Sequence, residues 1–214
     1  MRIKRLTEGV VNRIAAGEVV ERPSSVVKEL IENSIDAGAN RIKITVEDGG
    51  RSVIKVSDDG HGMEPEELML SIERHATSKL KDENNLFSIE TLGFRGEALP
   101  SIGSVSRLII SSRVRQSNDS WKIKVNGGII SKVEATSRNP GTEVSVRDIF
   151  FSTPARLKFL KSPQTETRHI NEAVLRHAMA NPSIAFNLLV DGRSVIKLEP
   201  ESEIKLGYLN RFCK

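Results

Sequence analysis

The chain has 214 residues, 38% of them hydrophobic and 28% charged, which fits one large α/β domain, or one domain and the start of another, and excludes disorder over most of its length. A net charge of +4 permits a nucleic-acid partner without requiring one. The single cysteine, Cys213, excludes an internal disulfide framework and a cysteine-rich zinc site, the four histidines show no zinc-ligand spacing, and no run approaches a signal peptide or a membrane span, so the expected compartment is reducing and cytoplasmic.

Residues 1–20 mix apolar and charged positions around Gly9 and Gly17 and are expected to form an arm. Val26 to Ala39 then reads as a helix, with Pro23 suited to a first turn and Gly38 as its C-terminal stop. At about 100° per residue, Val26, Val27, Leu30, Ile31 and Ile35 share one face, and Glu29, Asn33 and Asp36 share the border of the other. Glu29 and Asn33, four apart, point the same way: a proton acceptor beside a neutral oxygen that can hold a metal ion, although a solvated helix face satisfies the same pattern.

RIKITVE and SVIKVS, joined by Asp48-Gly49-Gly50, read as an antiparallel hairpin whose second strand runs into DDGHGM. Asp58, Gly60 and Gly62 therefore emerge at a strand end, where backbone can approach a ligand or simply turn. Pro65 opens a short helix carrying Leu68, Met69 and Ile72. A polar insert follows and ends in GFRGEALPSIGSV, a glycine-rich turn entering a helix. RLIIS, WKIKVN, GIISKVEA and TEVSVRDIF continue the sheet through Asn126-Gly127-Gly128 and Asn139-Pro140-Gly141 turns. TPARLKFLK precedes a long helix, about 165–180, expected to bury Ile170, Ala173, Val174 and His177. SIAFNLLVDG and SVIKLE form a last hairpin, and residues 201–214 are expected to begin a second domain.

Four features carry chemistry: E-x-x-x-N on a helix, D-x-G-x-G after a strand, the insert ending in G-F-R-G, and Gly141-Thr142 entering a strand. Each alone is unspecific. The glycine turn is not GxxxxGK[ST], which excludes a Walker-type loop, yet glycines at a helix start expose N–H groups suited to phosphate oxygens.

Taken together, IAAGEVVERPSSVVKELIENSIDAGA, DDGHGM, RHATSK, LGFRGEALPSI and TPARLKFL resemble, in order and spacing, the signature blocks of the GHKL ATPases, and within them of the MutL family of DNA mismatch-repair proteins. The resemblance covers nearly the whole chain, and GFRGEAL sets MutL proteins apart from the related topoisomerases, chaperones and histidine kinases. It implies an α+β sandwich of the Bergerat type, a mostly antiparallel mixed sheet with helices on one face, with 21–200 as the ATP-binding domain and 201–214 the start of a transducer-type domain. It implies a Mg²⁺-dependent ATPase whose cofactors are ATP and Mg²⁺.

By the same resemblance Glu29 is the general base that orients and deprotonates the attacking water, and Asn33 ligates Mg²⁺. Asp58 accepts from the adenine amino group, Gly60 and Gly62 leave room for the base, Met63 packs on it or serves the core, and Thr142 supports it directly or through water. Thr77, Ser78 and Lys79 belong to an ATP lid, and Gly93, Phe94, Arg95 and Gly96 wrap the phosphates. Arg156, Lys158 and Lys161 form a basic cluster, either a solvated helix face or a DNA contact.

The family further implies a homodimer formed on ATP binding, weak non-specific DNA contact, a MutS-type mismatch-recognition protein and a strand-incising nuclease as partners. It supplies a γ-phosphate lysine from the domain that follows, so residues 1–214 alone are expected to bind ATP weakly and to hydrolyse it slowly or not at all. Other readings are a topoisomerase or histidine-kinase ATPase module of the same superfamily, and a DNA-binding module with a vestigial nucleotide site.

Overall fold

The computed structural model describes Gly9, residues 16–76 and residues 96–200. Helix α1 runs Pro23–Asp36, starting earlier than its apolar periodicity because Pro23 occupies N1 or N2, where its missing N–H costs nothing. Gly38, at φ 68°, turns the chain out of the helix, and its N–H reaches Ile35 O while Ala39 N–H reaches Ser34 O. Val26, Val27, Leu30 and Ile31 are buried as expected, whereas Ile35 is only half-buried.

Strands β1 (Arg41–Glu47) and β2 (Val53–Asp58) pair antiparallel across a 3₁₀ turn at Asp48–Gly50. Helix α2 (Pro65–Leu70) carries a capping box between Glu64 and Glu67; it buries Leu68 but leaves Met69 exposed. Helix α3 (Ala98–Val105) leads into β3 (Arg107–Arg113), β4 (Ser120–Asn126), β5 (Ile129–Ile130), β6 (Glu134–Thr136) and β7 (Gly141–Arg147). GIISKVEA is thus two short strands on either side of a break, not one strand. Helices α4 (Pro154–Phe159) and α5 (Pro163–Ala180) precede the hairpin of β8 (Ala185–Val190) and β9 (Arg193–Leu198).

Among the described residues the sheet has nine strands in the order β5-β4-β3-β7-β2-β1-β8-β9, with β6 beside β4. Its described pairings are antiparallel except β1 with β8. Because side chains alternate across a strand, register alone sorts the covered face into rows. One row runs Leu188, Ile44, Val56, Val144, Ile110, Ile123, and a second Val190, Val46, Ile54, Val146, Leu108, Val125. Both are wholly apolar. They form the floor on which α1, α3 and α5 lie, and their members share one core with Ile102, Ile170 and Val174.

The third row begins Phe186, Ile42, Asp58 and continues Thr142, Ser112, Trp121. It turns polar at its centre, where β2 ends and β7 begins. The opposite face of the sheet carries ion pairs such as Lys55 with Glu143 and Arg107 with Asp148, and no described element covers it. The fold is therefore a two-layer α/β sandwich with a mainly antiparallel sheet and its helices on one face.

Gly141 is the tightest point of the polar row. Its φ is 109°, and a Cβ there would lie 2.1 Å from Asp58 O. Gly141→Ala is expected to cost about 3 kcal/mol or more, which for a domain of this size lowers the melting temperature by roughly 6–12 °C. Thermal unfolding by circular dichroism measures it, and an unshifted transition would show that β2 and β7 can separate without cost.

Candidate functional site

The site is built around the buried carboxylate of Asp58, 9% exposed at the end of β2. Oδ1 accepts from the backbone N–H of Gly60 at 2.9 Å and of Thr142 at 3.1 Å, and Oδ2 accepts from Ser34 Oγ at 2.9 Å. An ionised carboxylate offers about four acceptor positions, so one, on Oδ2, is left open among the described residues. Burial, the largest influence, pushes the Asp58 pKa up. The hydrogen bonds from Gly60, Ser34 and Thr142 and the charge of Arg138 pull against it without overcoming it. This is a desolvated acceptor, held rigidly, with room for one donor.

Each partner reaches Asp58 for a local reason. Ser34 sits on the apolar side of α1 with Leu30 and Ile31, where a hydroxyl must find an acceptor; Leu30 O, at 3.0 Å, is its alternative. The loop after β2 is clamped at both glycines. A Cβ at Gly60 would strike Ala37 at 2.8 Å, and at Gly62, with φ 78°, would strike Arg113 O at 2.1 Å. In this structure the glycines thus make room for the protein's own backbone: the end of α1 on one side, the end of β3 on the other. His61 N–H donates to Ala37 O at 3.0 Å and Arg115 reaches Asp59 O at 2.7 Å, closing the same clamp. Met63, half-buried, packs its side chain against the core and donates its N–H to Ser112 Oγ at 2.8 Å.

Along α1 Asn33 and Glu29, four apart, share one edge, both half-buried, turned about 100° and about 140° around the helix from the buried Ser34. At 1.5 Å per residue, Glu29 lies about 7.5 Å from Ser34 along the helix axis. Glu29 Oε1 is 3.1 Å from Lys28 Nζ, which also reaches Glu32 Oε2 at 3.4 Å. Burial disfavours the Lys28 ammonium, but Glu29 and then Glu32 together hold its pKa above the ordinary value. Glu32 is 8% exposed, faces His177 Nε2 of α5 at 3.9 Å, and is pushed up chiefly by burial. Burial, and secondarily Lys28, lowers His177, so at neutral pH that contact is a neutral imidazole beside a carboxylate.

The described residues contain no group of three or more His, Cys, Asp or Glu side chains able to cage a metal. A single amide oxygen at Asn33 on a half-buried edge fits Mg²⁺ all the same, because that ion keeps several waters and takes the rest of its ligands from phosphates rather than from a protein cage.

Gly96 lies at the far end of the polar insert. Its φ is 61° and a Cβ would meet Ala76 O at 2.4 Å, while Arg74 and His75 pair with Glu97 at 2.8 and 2.9 Å. The residues flanking the insert therefore meet. Thr77, Ser78, Lys79, Gly93, Phe94 and Arg95 lie outside the described residues. The basic cluster divides: Arg156 hydrogen-bonds to Val20 O and stacks 4.4 Å over the Phe150 ring, anchoring the approach to α1, while Lys158 and Lys161 are exposed.

Sequence reasoning missed three residues that shape this site. Ser34 and Ser112 are buried hydroxyls in apolar settings, and their signal was a polar residue on an otherwise apolar face. Arg138, anchored to Ser111 O at 2.8 Å, lends Asp58 its charge from a loop with no pattern to announce it. No helix among the described residues is long and apolar enough to cross a membrane.

Residues 21–149 match the family of histidine kinase-, DNA gyrase B- and HSP90-like ATPases. Over 198 residues the chain is 58% identical to the DNA mismatch repair protein MutL of Rhodospirillum rubrum, covering 92% of this chain and 31% of that protein. Over 219 residues it is 53% identical to MutL of Caulobacter vibrioides, covering 100% of this chain and 34% of that one. The chain thus spans about a third of the length of these curated relatives. Among solved structures it is similar to the Aquifex aeolicus MutL ATPase domain complexed with ADP, with 34% identity, a TM-score of 0.75, and coverage of 92% of this chain and 70% of that one.

Proposed function

The chain belongs to the MutL family of DNA mismatch-repair proteins, as its N-terminal GHKL ATPase domain, and from that premise we propose that it binds ATP at Asp58 and hydrolyses it at the Glu29 edge of α1. The reading is supported above all by the one open acceptor position on Asp58 Oδ2, held by Ser34 against the C-terminal half of α1, the helix that also carries Asn33 and Glu29. A carboxylate with its other positions filled accepts from an amino group and repels a carbonyl oxygen, so it takes adenine and refuses guanine or hypoxanthine.

With the base seated there, the phosphates run along α1 toward its N-terminal half. Glu29 is a half-buried carboxylate on that path, placed to accept the proton of a water attacking the γ-phosphate. Asn33, between the two, would hold Mg²⁺ through its amide oxygen. That ion supplies charge neutralisation across the phosphate oxygens. Lys28 holds the Glu29 carboxylate until nucleotide arrives, a partly exposed contact weak enough to give way.

The nucleotide acts as a switch: binding brings two protomers together, and hydrolysis resets them, in a clamp that couples a MutS-type mismatch-recognition protein to a strand-incising nuclease on DNA. Titration with a non-hydrolysable ATP analogue and Mg²⁺, followed by sedimentation, tests binding and assembly together. Saturable binding with a shift from monomer to dimer is expected, and absence of binding would refute the reading.

Acid should weaken base selection early. Since the Asp58 pKa is raised in the folded protein, the carboxyl takes up its proton above the ordinary range near 3.8, and the protonated form loses its acceptor character. The apo fold gains relative stability over the same interval, because the buried charge is removed as pH falls through the raised pKa. The preference for ADP over inosine 5′-diphosphate, a ratio that cancels phosphate titration, is expected to fall while circular dichroism stays native. A preference constant down to the ordinary aspartate range would refute it.

A further inference from the structure

Ser112 lies in the polar row of the sheet, wholly buried. Its oxygen is 2.8 Å from Met63 N, 2.9 Å from Thr142 Oγ1 and 3.3 Å from Gly141 O. The Met63 N–H only donates and the Gly141 carbonyl only accepts, while a serine hydroxyl has one proton and two lone pairs. All three contacts are hydrogen bonds at once in a single arrangement. Ser112 gives its proton to Gly141 O, accepts from Met63 N–H, and accepts from the Thr142 hydroxyl. Thr142 then has no proton left for a ligand, and its hydroxyl oxygen can only accept, on a residue whose backbone N–H is bound to Asp58 Oδ1 at 3.1 Å.

We propose that Ser112 is a positioning residue for base selection: by holding the Thr142 proton it makes the Asp58–Thr142 edge an acceptor-only surface, which takes a purine amino group and refuses a purine carbonyl oxygen. The inference rests on the nucleotide reading above and deepens it. Asp58 alone faces the base with one acceptor. A Thr142 hydroxyl free to rotate would offer its proton to a carbonyl oxygen, directly or through a water, and blunt the discrimination. Ser112, through Thr142, removes that escape. The same residue ties three segments together, the loop after β2 through Met63, the start of β7 through Gly141, and β3 itself, so the hydroxyl orientation is set by the fold before any ligand arrives.

Calorimetric titration of the parent, Ser112→Ala and Ser112→Thr with the Mg²⁺ complexes of ADP and inosine 5′-diphosphate tests it. The parent prefers ADP. Ser112→Ala is expected to lower the ADP-to-inosine-diphosphate affinity ratio by roughly five- to tenfold, partly by tightening the inosine nucleotide, since one neutral hydrogen bond is worth about that factor. Ser112→Thr keeps the hydroxyl, suits a strand, and restores the ratio. Should Ser112→Ala not fold, Ser112→Cys, whose thiol is a poor acceptor, is read in the same way. Equal weakening of both nucleotides with an unchanged ratio would make Ser112 a purely structural residue and overturn the inference. A parent without preference would overturn the nucleotide reading instead.

Discussion

Glu29→Gln is expected to lower ATP turnover by about 10²- to 10⁴-fold while leaving nucleotide affinity within roughly threefold, the signature of a lost general base. Glutamine keeps the length and shape of the side chain and removes only its ability to take a proton. The pair with Lys28, 3.1 Å away and partly exposed, is lost as well, but exposed pairs of this kind contribute about 0–1 kcal/mol, far less than the kinetic effect. Among the acidic residues near this stretch of α1, Glu32 is a poor candidate. It is 8% exposed, points toward His177 and is covered by Lys28, so a water in line with a phosphate does not reach it. Glu32→Gln should therefore change turnover much less than Glu29→Gln. Single-turnover hydrolysis beside analogue binding, in the protein that carries this domain, separates the outcomes. Turnover within twofold of the parent would remove Glu29 from the chemistry, and a loss of binding as large as the loss of rate would make it a structural residue.

What could be read from the sequence and what could not follow from the range of each signal. The periodicities of α1 and of the β1–β2 hairpin lie within a few residues, and both elements form with only their ends displaced. The parallel pairing of β1 with β8 joins segments far apart in the chain, and no local pattern announces it. The edge carrying Glu29 and Asn33 is marked as a candidate for chemistry only by the resemblance of the whole set of blocks, DDGHGM and GFRGEAL among them, to the MutL family, since its own spacing also fits a solvated helix face. Gly60 and Gly62 were legible as close-approach positions, but their neighbours, Ala37 and Arg113, come from other elements and emerge only from packing. Ser34 and Ser112 carry only an unspecific signal for a related reason. A small hydroxyl is tolerated on an apolar face in any helix or strand, and it becomes a site residue only when the fold brings an acceptor or a second hydroxyl within 3 Å, as Asp58 and Thr142 are here. Local propensity can be read one residue at a time; a hydrogen-bond network cannot.

That network also makes the outcome of Asp58→Asn unusually specific. The amide oxygen can stand in for Oδ1 and keep the N–H groups of Gly60 and Thr142, at 2.9 and 3.1 Å, satisfied. The opposite flip would set an NH₂ group against two backbone donors, so the orientation is imposed. The NH₂ group then replaces Oδ2 opposite Ser34. Ser34 accommodates it by turning its proton to Leu30 O, at 3.0 Å, and accepting from the amide instead. Every buried group keeps a partner and a desolvated charge is removed, so the fold should be within about 1 kcal/mol of the parent or slightly more stable. The one open position, however, has changed from an acceptor to a donor. An adenine amino group now meets an N–H, and affinity for ADP or a non-hydrolysable ATP analogue is expected to fall by about 100-fold, the scale on which a site built to hydrogen-bond one group rejects its opposite. Inosine 5′-diphosphate, whose carbonyl oxygen accepts, should lose far less, so the preference narrows or inverts. Calorimetric titration with both nucleotides, beside thermal unfolding, measures all three effects. Retained ADP affinity in a folded variant would show that the open position on Asp58 does not meet the base, while a lower melting temperature would show that Ser34 cannot exchange its acceptor.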